Sequence, residues 1–231
     1  EETTPLILGP THVPRWIYAA SKQMLDRVIY AYGEQRGLDY TIIRPFNFVG
    51  PRFDFLPSER GDHSPRAFAH FMDGLLHGTP IRLVDGGRAL RCYTYIDDAV
   101  EAMGRIILDR RGATSRQVFN IGNPANEVSV RDLAHMMREI FRERFWDGAT
   151  PLPEIVSVHR DDFFGKGYED CDRRVPDITK ARTLLGWEPR WSLPELVEAT
   201  MRWFVEEHRR ARSNARAVAR STSPLPAPAT V

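Results

Sequence analysis

The chain has 231 residues, enough for one large domain or two small ones, and its 42% hydrophobic and 27% charged residues are the proportions of a globular protein with a buried core. Its 32 basic and 31 acidic residues leave a net charge of +1, which gives no support for nucleic acid as the main partner. No apolar run reaches the ~18–20 residues that cross a bilayer, so a membrane is not an expected partner either.

Residues 1–14 are polar and proline-punctuated and read as loop; the opening "EETTPLILGP" shows no charged and apolar leader pattern, and its first residue, Glu1, points to a start further upstream. From Trp16 to Arg36, the residues Ile17, Met24, Leu25, Val28, Ile29 and Tyr32 recur at three- and four-residue spacing, the pattern of an amphipathic helix that Gly37 is placed to end. "DYTIIRP" reads as a short buried strand stopped by Pro45, and "NFVGPRFDFLPSERGDHSPR" as a loop of functional length. "AFAHFMDGLLHG" returns to helix, and "PIRLVDGGRALRCYTYI" reads as two strands around an Asp-Gly-Gly turn. "DDAVEAMGRIILDRR" is a helix, acidic in its first turn and basic in its last. "QVFNIGN" is a strand, followed by a helix in "SVRDLAHMMREIFRERF" whose N-cap is Ser129, with Asp132 three positions on.

"EIVSVHR" reads as a strand, "DITKARTLLGWEPRW" as a short helix ending at Gly186, and "SLPELVEATMRWFVEEHRRAR" as a last amphipathic helix. Residues 208–231 are expected to form a basic, Pro/Ala/Ser-rich disordered tail rather than an RNA-binding arm. Strands alternating with helices define an α/β chain, yet no GxGxxG phosphate loop is present. The two cysteines, Cys92 and Cys171, have no CxxC or CxxH companion, and the histidines form no metal-ligand motif. Free thiols in a reducing cytoplasm, and no metal, are the expectations.

Tyr18 and Lys22 stand four apart, on one helix face. An ammonium beside a phenol favours the phenolate, which equips Tyr18 to take a proton from an alcohol as hydride leaves the same carbon. Tyr and Lys at this spacing also occur in helices with no such role. The pair is followed by a strand running into "RPFNFVGP", then by "PIRLVDGGRALRCYTYIDDAVEA", "VFNIGNPANEVSVRDLA" and "LLGWEPRWSLPELVEATMRWF". This order, over roughly residues 15–207, resembles the extended short-chain dehydrogenase/reductase family, the NAD-dependent epimerases and dehydratases. Within it, "RPFNFVGPRFD", Ser64-Pro65-Arg66 and "DDFFGKGYEDCDRRVPDITKARTLLGWEP" resemble the UDP-glucuronic acid oxidative decarboxylases, which include UDP-4-keto-pentose and UDP-xylose synthases.

The resemblance implies, over residues 1–207, the C-terminal part of an extended-SDR Rossmann fold plus the smaller sugar-nucleotide-binding region. The family's Gly-rich NAD loop, acidic ribose reader and Ser/Thr-rich segment normally precede the Tyr-x-x-x-Lys helix and do not occur in this sequence. By resemblance, NAD is the cofactor and a UDP-sugar the substrate. Tyr18 is the acid/base, Lys22 holds the nicotinamide ribose, and Pro45 faces the nicotinamide. Oxidation at C4 of the glucuronate sets a ketone beta to the C6 carboxylate, so loss of carbon dioxide leaves a stabilised enolate. Arg174 matches the family's catalytic arginine, with Arg173 as the adjacent alternative and a turn-capping surface arginine as the structural one. Asn47, Arg66, Arg82, Arg91 and Tyr168 match substrate contacts, a guanidinium fork suiting phosphate oxygens. An Asn in a Pro/Gly turn, or an Arg on a strand face, is equally ordinary. A homodimer through the Tyr-x-x-x-Lys helix is the family's usual assembly. The alternatives are a UDP-xylose synthase that returns the hydride, a UDP-glucose 4-epimerase with no carboxylate to handle, and a truncated, non-catalytic UDP-sugar-binding module.

Overall fold

The structure, a computed structural model, describes residues 1–13, 15–60, 66–165 and 171–221. Its first helix, α1 (Arg15–Arg36), closes on Gly37 at φ +68°, whose N–H donates to the Gly33 carbonyl at 3.2 Å. Then come β1 (Thr41–Pro45), β2 (Phe48–Val49), α2 (Pro57–Arg60) and α3 (Ala67–His77). β3 (Ile81–Val84), β4 (Leu90–Cys92) and β5 (Thr94–Tyr95) lead directly into α4 (Ile96–Ile107). β6 (Gln117–Ile121) and β7 (Glu127–Ser129) precede α5 (Val130–Arg144), whose expected cap forms: Ser129 Oγ accepts from the Asp132 N–H at 2.9 Å. β8 (Ile155–Val158), α6 (Arg160–Phe164), β9 (Arg173–Arg174), α7 (Thr179–Leu185) and α8 (Leu193–Ser221) complete the chain.

β1 and β6 pair in parallel, from Thr41 opposite Gln117 to Pro45 opposite Ile121, and β2 lies parallel to β5. The two strands around the Asp-Gly-Gly turn do not pair with each other as a hairpin would. β3 runs parallel to β8, whereas β4 lies antiparallel to β7 and parallel to β9. Asp85, Gly86 and Gly87 all take positive φ, at 46°, 73° and 66°, and this run swings the chain out of the β3 plane instead of doubling it back. Gly87 permits the swing, since a Cβ there would stand 2.8 Å from the Arg131 backbone nitrogen.

Two apolar clusters hold these pieces. One packs α3, α5 and the first turns of α8 around Phe71, Met72, Leu75, Leu133, Met137 and Met201. The other packs β1, β6, α4 and α7 around Phe119, Ile121, Ala102 and the fully buried Trp187. The last helix runs further than expected: where a disordered tail is read from residue 208, α8 continues to Ser221. Alanine and arginine, which dominate that stretch, are strong helix formers. Residues 222–231 lie outside the described residues.

The apolar stripe of α1 is also differently placed from the expectation, with Ile17 68%, Met24 62% and Leu25 51% exposed. Periodicity identifies which face is apolar, and among the described residues nothing covers this one. Polar contacts tie α1 down instead. Arg116 reaches Glu34 at 3.3 Å, Tyr30 meets Tyr40 edge-on, and Arg44 pairs with Asp26 at 3.5 Å. As the chain ascends β1 from residue 40 to 44 its partners descend α1, so the two run antiparallel. The first turns of α1, with Tyr18 and Lys22, therefore stand toward the carboxyl end of β1.

Candidate functional site

Ligands of open α/β sheets bind beyond the carboxyl ends of the parallel strands. Here β1 ends at Pro45, and two residues on, Asn47 forms part of the wall of a cleft of about 1290 Å³. The cleft is bounded by α3, the β3–β4 turn, β4, α6 and β9. Seven arginines line it against two aspartates, Asp85 and Asp172, in a chain whose overall charge is only +1. Such a concentration of guanidinium groups makes the wall basic, and their planar forks suit phosphate and carboxylate oxygens.

Five of the residues singled out from the sequence meet in this cleft: Asn47, Arg66, Arg82, Arg91 and Arg174. Asn47 sits at φ +41° and its Nδ2 donates to the Cys92 carbonyl at 2.8 Å, so part of its amide pins β4 to the loop. Arg66 precedes α3 and is held on its far side. It pairs with Asp54 at 3.2 Å, donates to the Phe53 carbonyl at 3.2 Å and lies over the Phe53 ring at 4.3 Å. Arg82 occupies the exposed face of β3. Arg91 is 6% exposed and stands directly opposite Arg174 in the β4–β9 register.

Neighbours on a strand face opposite sides, and this separates the two candidate arginines of β9. Arg173 turns to Glu127 on β7, with Nε–Oε1 at 2.7 Å and Nη2–Oε2 at 3.0 Å, while Arg174 lines the cleft. Beneath Arg174 and Arg91 lies Tyr93, whose phenol is pushed up to about 12 by burial, against the lowering influence of the two guanidiniums. It stays protonated across the physiological range. Burial also pushes the Cys92 thiol up to about 11, which leaves it an inert core thiol.

Tyr18, Lys22 and Pro45 are not among the residues lining the cleft. Tyr18 is 71% exposed, and the Lys22 ammonium stands 5.4 Å from the centroid of its ring, the one-turn neighbourhood that the spacing predicts. Tyr168 lies outside the described residues. The sequence reading passed over Arg88, Arg131, Arg160 and His70, which also line the cleft. Arg131 Nε donates to the Gly86 carbonyl at 2.8 Å, and Arg160 binds Asp85 at 2.5 Å. Burial works to raise Asp85, but its hydrogen bonds and ion pair with Arg160 outweigh this and hold the carboxyl below its usual range. No local spacing marks these residues; the turn at Asp85–Gly87 is the only signal that the chain bends there.

A dinucleotide cofactor would meet only part of its usual site in this chain. The tyrosine–lysine pair suits the ribose and reacting end. A pyrophosphate needs backbone N–H groups at a Gly-rich strand-to-helix turn, and the described residues contain none.

Parallel strand pairs packed with helices, ending at an arginine-lined cleft, define an α/β protein of Rossmann type. The chain belongs to the NAD dependent epimerase/dehydratase family, whose model matches residues 1–122. It is 42% identical over 225 residues to UDP-D-apiose/UDP-D-xylose synthase 1 of Arabidopsis thaliana, covering 96% of this chain and 56% of that protein. It is likewise 42% identical over 214 residues to the UDP-D-apiose/UDP-D-xylose synthase of Oryza sativa subsp. japonica, covering 91% of this chain and 53% of the relative. Among solved structures, the PbgP3 protein from Burkholderia pseudomallei matches with a TM-score of 0.75 at 35% identity, over 90% of this chain and 58% of that one. The chain thus spans about half the length of the curated relatives it matches.

Proposed function

We propose that the whole protein is an NAD-dependent enzyme that oxidatively decarboxylates UDP-glucuronic acid, and that this chain supplies its sugar-nucleotide cleft and its acid/base helix. The observation that carries the reading is the arginine pair across β4 and β9, with Arg174 in the cleft opposite Arg91 and Arg173 turned away to Glu127. The names of the relatives support it, because apiose and xylose have five carbons and glucuronic acid has six. One carbon must leave, and the C6 carboxylate is the group that can leave as carbon dioxide. A UDP-glucose 4-epimerase has no carboxylate to handle and gives Arg174 no such task.

Bound NAD supplies the two-electron oxidation at C4. Tyr18 takes the proton of the C4 hydroxyl, and Lys22, one turn along the same helix, would hold the nicotinamide ribose, with Pro45 on the nicotinamide side. Asn47, Arg66, Arg82 and Arg91, with Tyr168, bind the diphosphate and sugar. Arg174 pairs with the C6 carboxylate and, as the carbon–carbon bond breaks, with the negative charge that spreads toward the C4 oxygen. A proton delivered to C5 completes the step. Residues 1–207 form the catalytic part in this reading, the protein works in the cytoplasm, and it assembles as a homodimer, which light scattering of the purified protein checks.

The test is the whole protein incubated with UDP-glucuronic acid and NAD, following carbon dioxide and NADH together. Carbon dioxide with matching NADH identifies a UDP-4-keto-pentose product, and carbon dioxide without lasting NADH a pentose to which the hydride has been returned. Arg174→Ala and Tyr18→Phe both lower carbon dioxide release by about a hundredfold or more. Interconversion of UDP-glucose and UDP-galactose without carbon dioxide overturns the reading in favour of the epimerase.

A further inference from the structure

One stretch of the cleft wall differs from the rest. His70 lies one turn along α3 from Arg66, and its backbone N–H closes that turn on the Arg66 carbonyl at 3.1 Å. Its ring meets the Phe163 ring of α6 edge to face, with centroids 5.4 Å apart and planes at 72°, and both residues line the cleft. The His70 Nδ1 is a buried side-chain atom with no hydrogen-bond partner, the one such atom among the described residues. An unsatisfied buried polar atom costs stability, so the fold itself gives no reason for a histidine here. What remains to account for it is the part of the ring that lines the cleft.

The proton of the ring can be placed by the same logic. A buried N–H without an acceptor is the rarer and costlier orphan, so Nδ1 carries the lone pair and Nε2 the hydrogen. Burial, with the nearby Arg82 guanidinium, lowers the affinity of the ring for a second proton, against the raising influence of Asp73, and the imidazole is neutral at physiological pH. The cleft's arginines serve the anionic parts of a ligand. A neutral N–H donor beside an aromatic ring suits a flat, uncharged group that carries a carbonyl oxygen.

We propose that His70 reads the nucleobase of the bound nucleotide sugar, donating from Nε2 to the O4 carbonyl of uracil and thereby selecting uridine over cytidine nucleotides. This rests on the UDP-sugar reading above. Cytosine carries an amino group at the same position, so its N–H would face the imidazole N–H, donor against donor. Sites built to pair one polar group reject the analogue that cannot pair it.

The test is equilibrium binding of UDP and of CDP to the whole protein, by calorimetry, for wild type, His70→Phe and His70→Gln. The ratio of the two affinities within one protein does not depend on how much of a variant is folded. Wild type is expected to favour UDP by about tenfold or more. His70→Phe brings the two within about twofold, and His70→Gln, which keeps an N–H donor, retains most of the preference. A His70→Phe variant with the wild-type ratio overturns the proposal, as does a wild type with no preference. Carbon dioxide release from UDP-glucuronic acid by the same wild-type preparation separates the two levels: release with an unchanged ratio sinks the role of His70 alone. Failure to bind either nucleotide, with no release, sinks both.

Discussion

Replacing Asp98 by alanine should cost this protein more stability than any other single carboxylate on α4. Asp98 is 3% exposed in the first turn of that helix, and three contacts converge on it. Oδ1 accepts from the Arg190 N–H at 3.0 Å, Oδ2 from the Trp191 N–H at 3.2 Å, and its carbonyl from Trp187 Nε1 at 2.9 Å. Alanine keeps only the last. A hydrogen bond to a charged group contributes about 1.5–3 kcal/mol, so the two lost bonds amount to roughly 3–6 kcal/mol. Burial outweighs the two donors in the carboxylate's own balance and raises the acid above its ordinary range. What the variant loses is therefore the pairing of two part-buried N–H groups, about 1–2 kcal/mol each. A net loss of about 2–4 kcal/mol remains.

For a chain of this size, each kcal/mol shifts the melting temperature by about 2–4 °C, so the expected fall is roughly 4–16 °C. Thermal unfolding followed by circular dichroism reads it. Asp98→Asn should fall between wild type and Asp98→Ala, since the amide keeps one acceptor oxygen but turns N–H against the second donor. The loss also reaches the cleft. The Trp191 carbonyl accepts from Asn126 Nδ2 at 2.9 Å, and the same Nδ2 donates to the carbonyl of Tyr93 at 3.1 Å, so the clamp steadies the strand that carries Arg91. An Asp98→Ala protein melting within about 2 °C of wild type would refute the clamp.

Arg173→Ala should keep turnover of UDP-glucuronic acid within about threefold of wild type, whereas Arg174→Ala should lose about a hundredfold or more; steady-state kinetics of both variants decide it, and equal losses would remove the distinction between the two faces of β9. Gly87→Ala places a Cβ 2.8 Å from the Arg131 backbone nitrogen at φ +66°, so a loss of roughly 1–3 kcal/mol is expected, with weaker UDP binding because the start of β4 must shift. Calorimetric unfolding and a UDP titration read both effects. His70 and His208 are held below the ordinary histidine range, in each case mainly by burial, so the unfolded chain takes up protons that the folded chain resists. Stability should therefore be level above about pH 6.5 and decline below it, and His70→Phe should flatten the decline; urea midpoints from pH 5 to 8 measure the slope.

The parts of this fold that the sequence made legible are those decided within a few residues. The cap of α5 needs only Ser129 and the Asp132 N–H, and the ends of α1 and α7 need only Gly37 and Gly186 at positive φ. Strand partnership is decided elsewhere. Nothing in "IRLVDGGRALRC" says that β3 joins β8 and β4 joins β7 and β9, because the alternation of each strand would serve a hairpin equally well. The same gap separates the site's two arginines. Alternation requires Arg173 and Arg174 to face opposite sides but leaves open which faces the cleft, and that choice is fixed by Glu127, more than forty residues earlier in the chain, which takes the Arg173 fork. Resemblance to a family supplied Asn47, Arg66, Arg82, Arg91 and Arg174, because motif order carries information from the folded state that periodicity lacks. It did not supply Arg131, Arg160 or His70, which enter the cleft from α5, α6 and α3 only once β4 has left β3 and the turn at Asp85–Gly87 has brought those helices round one space. The cleft is thus a product of strand partnership, and its residues become visible in the order in which that partnership is known.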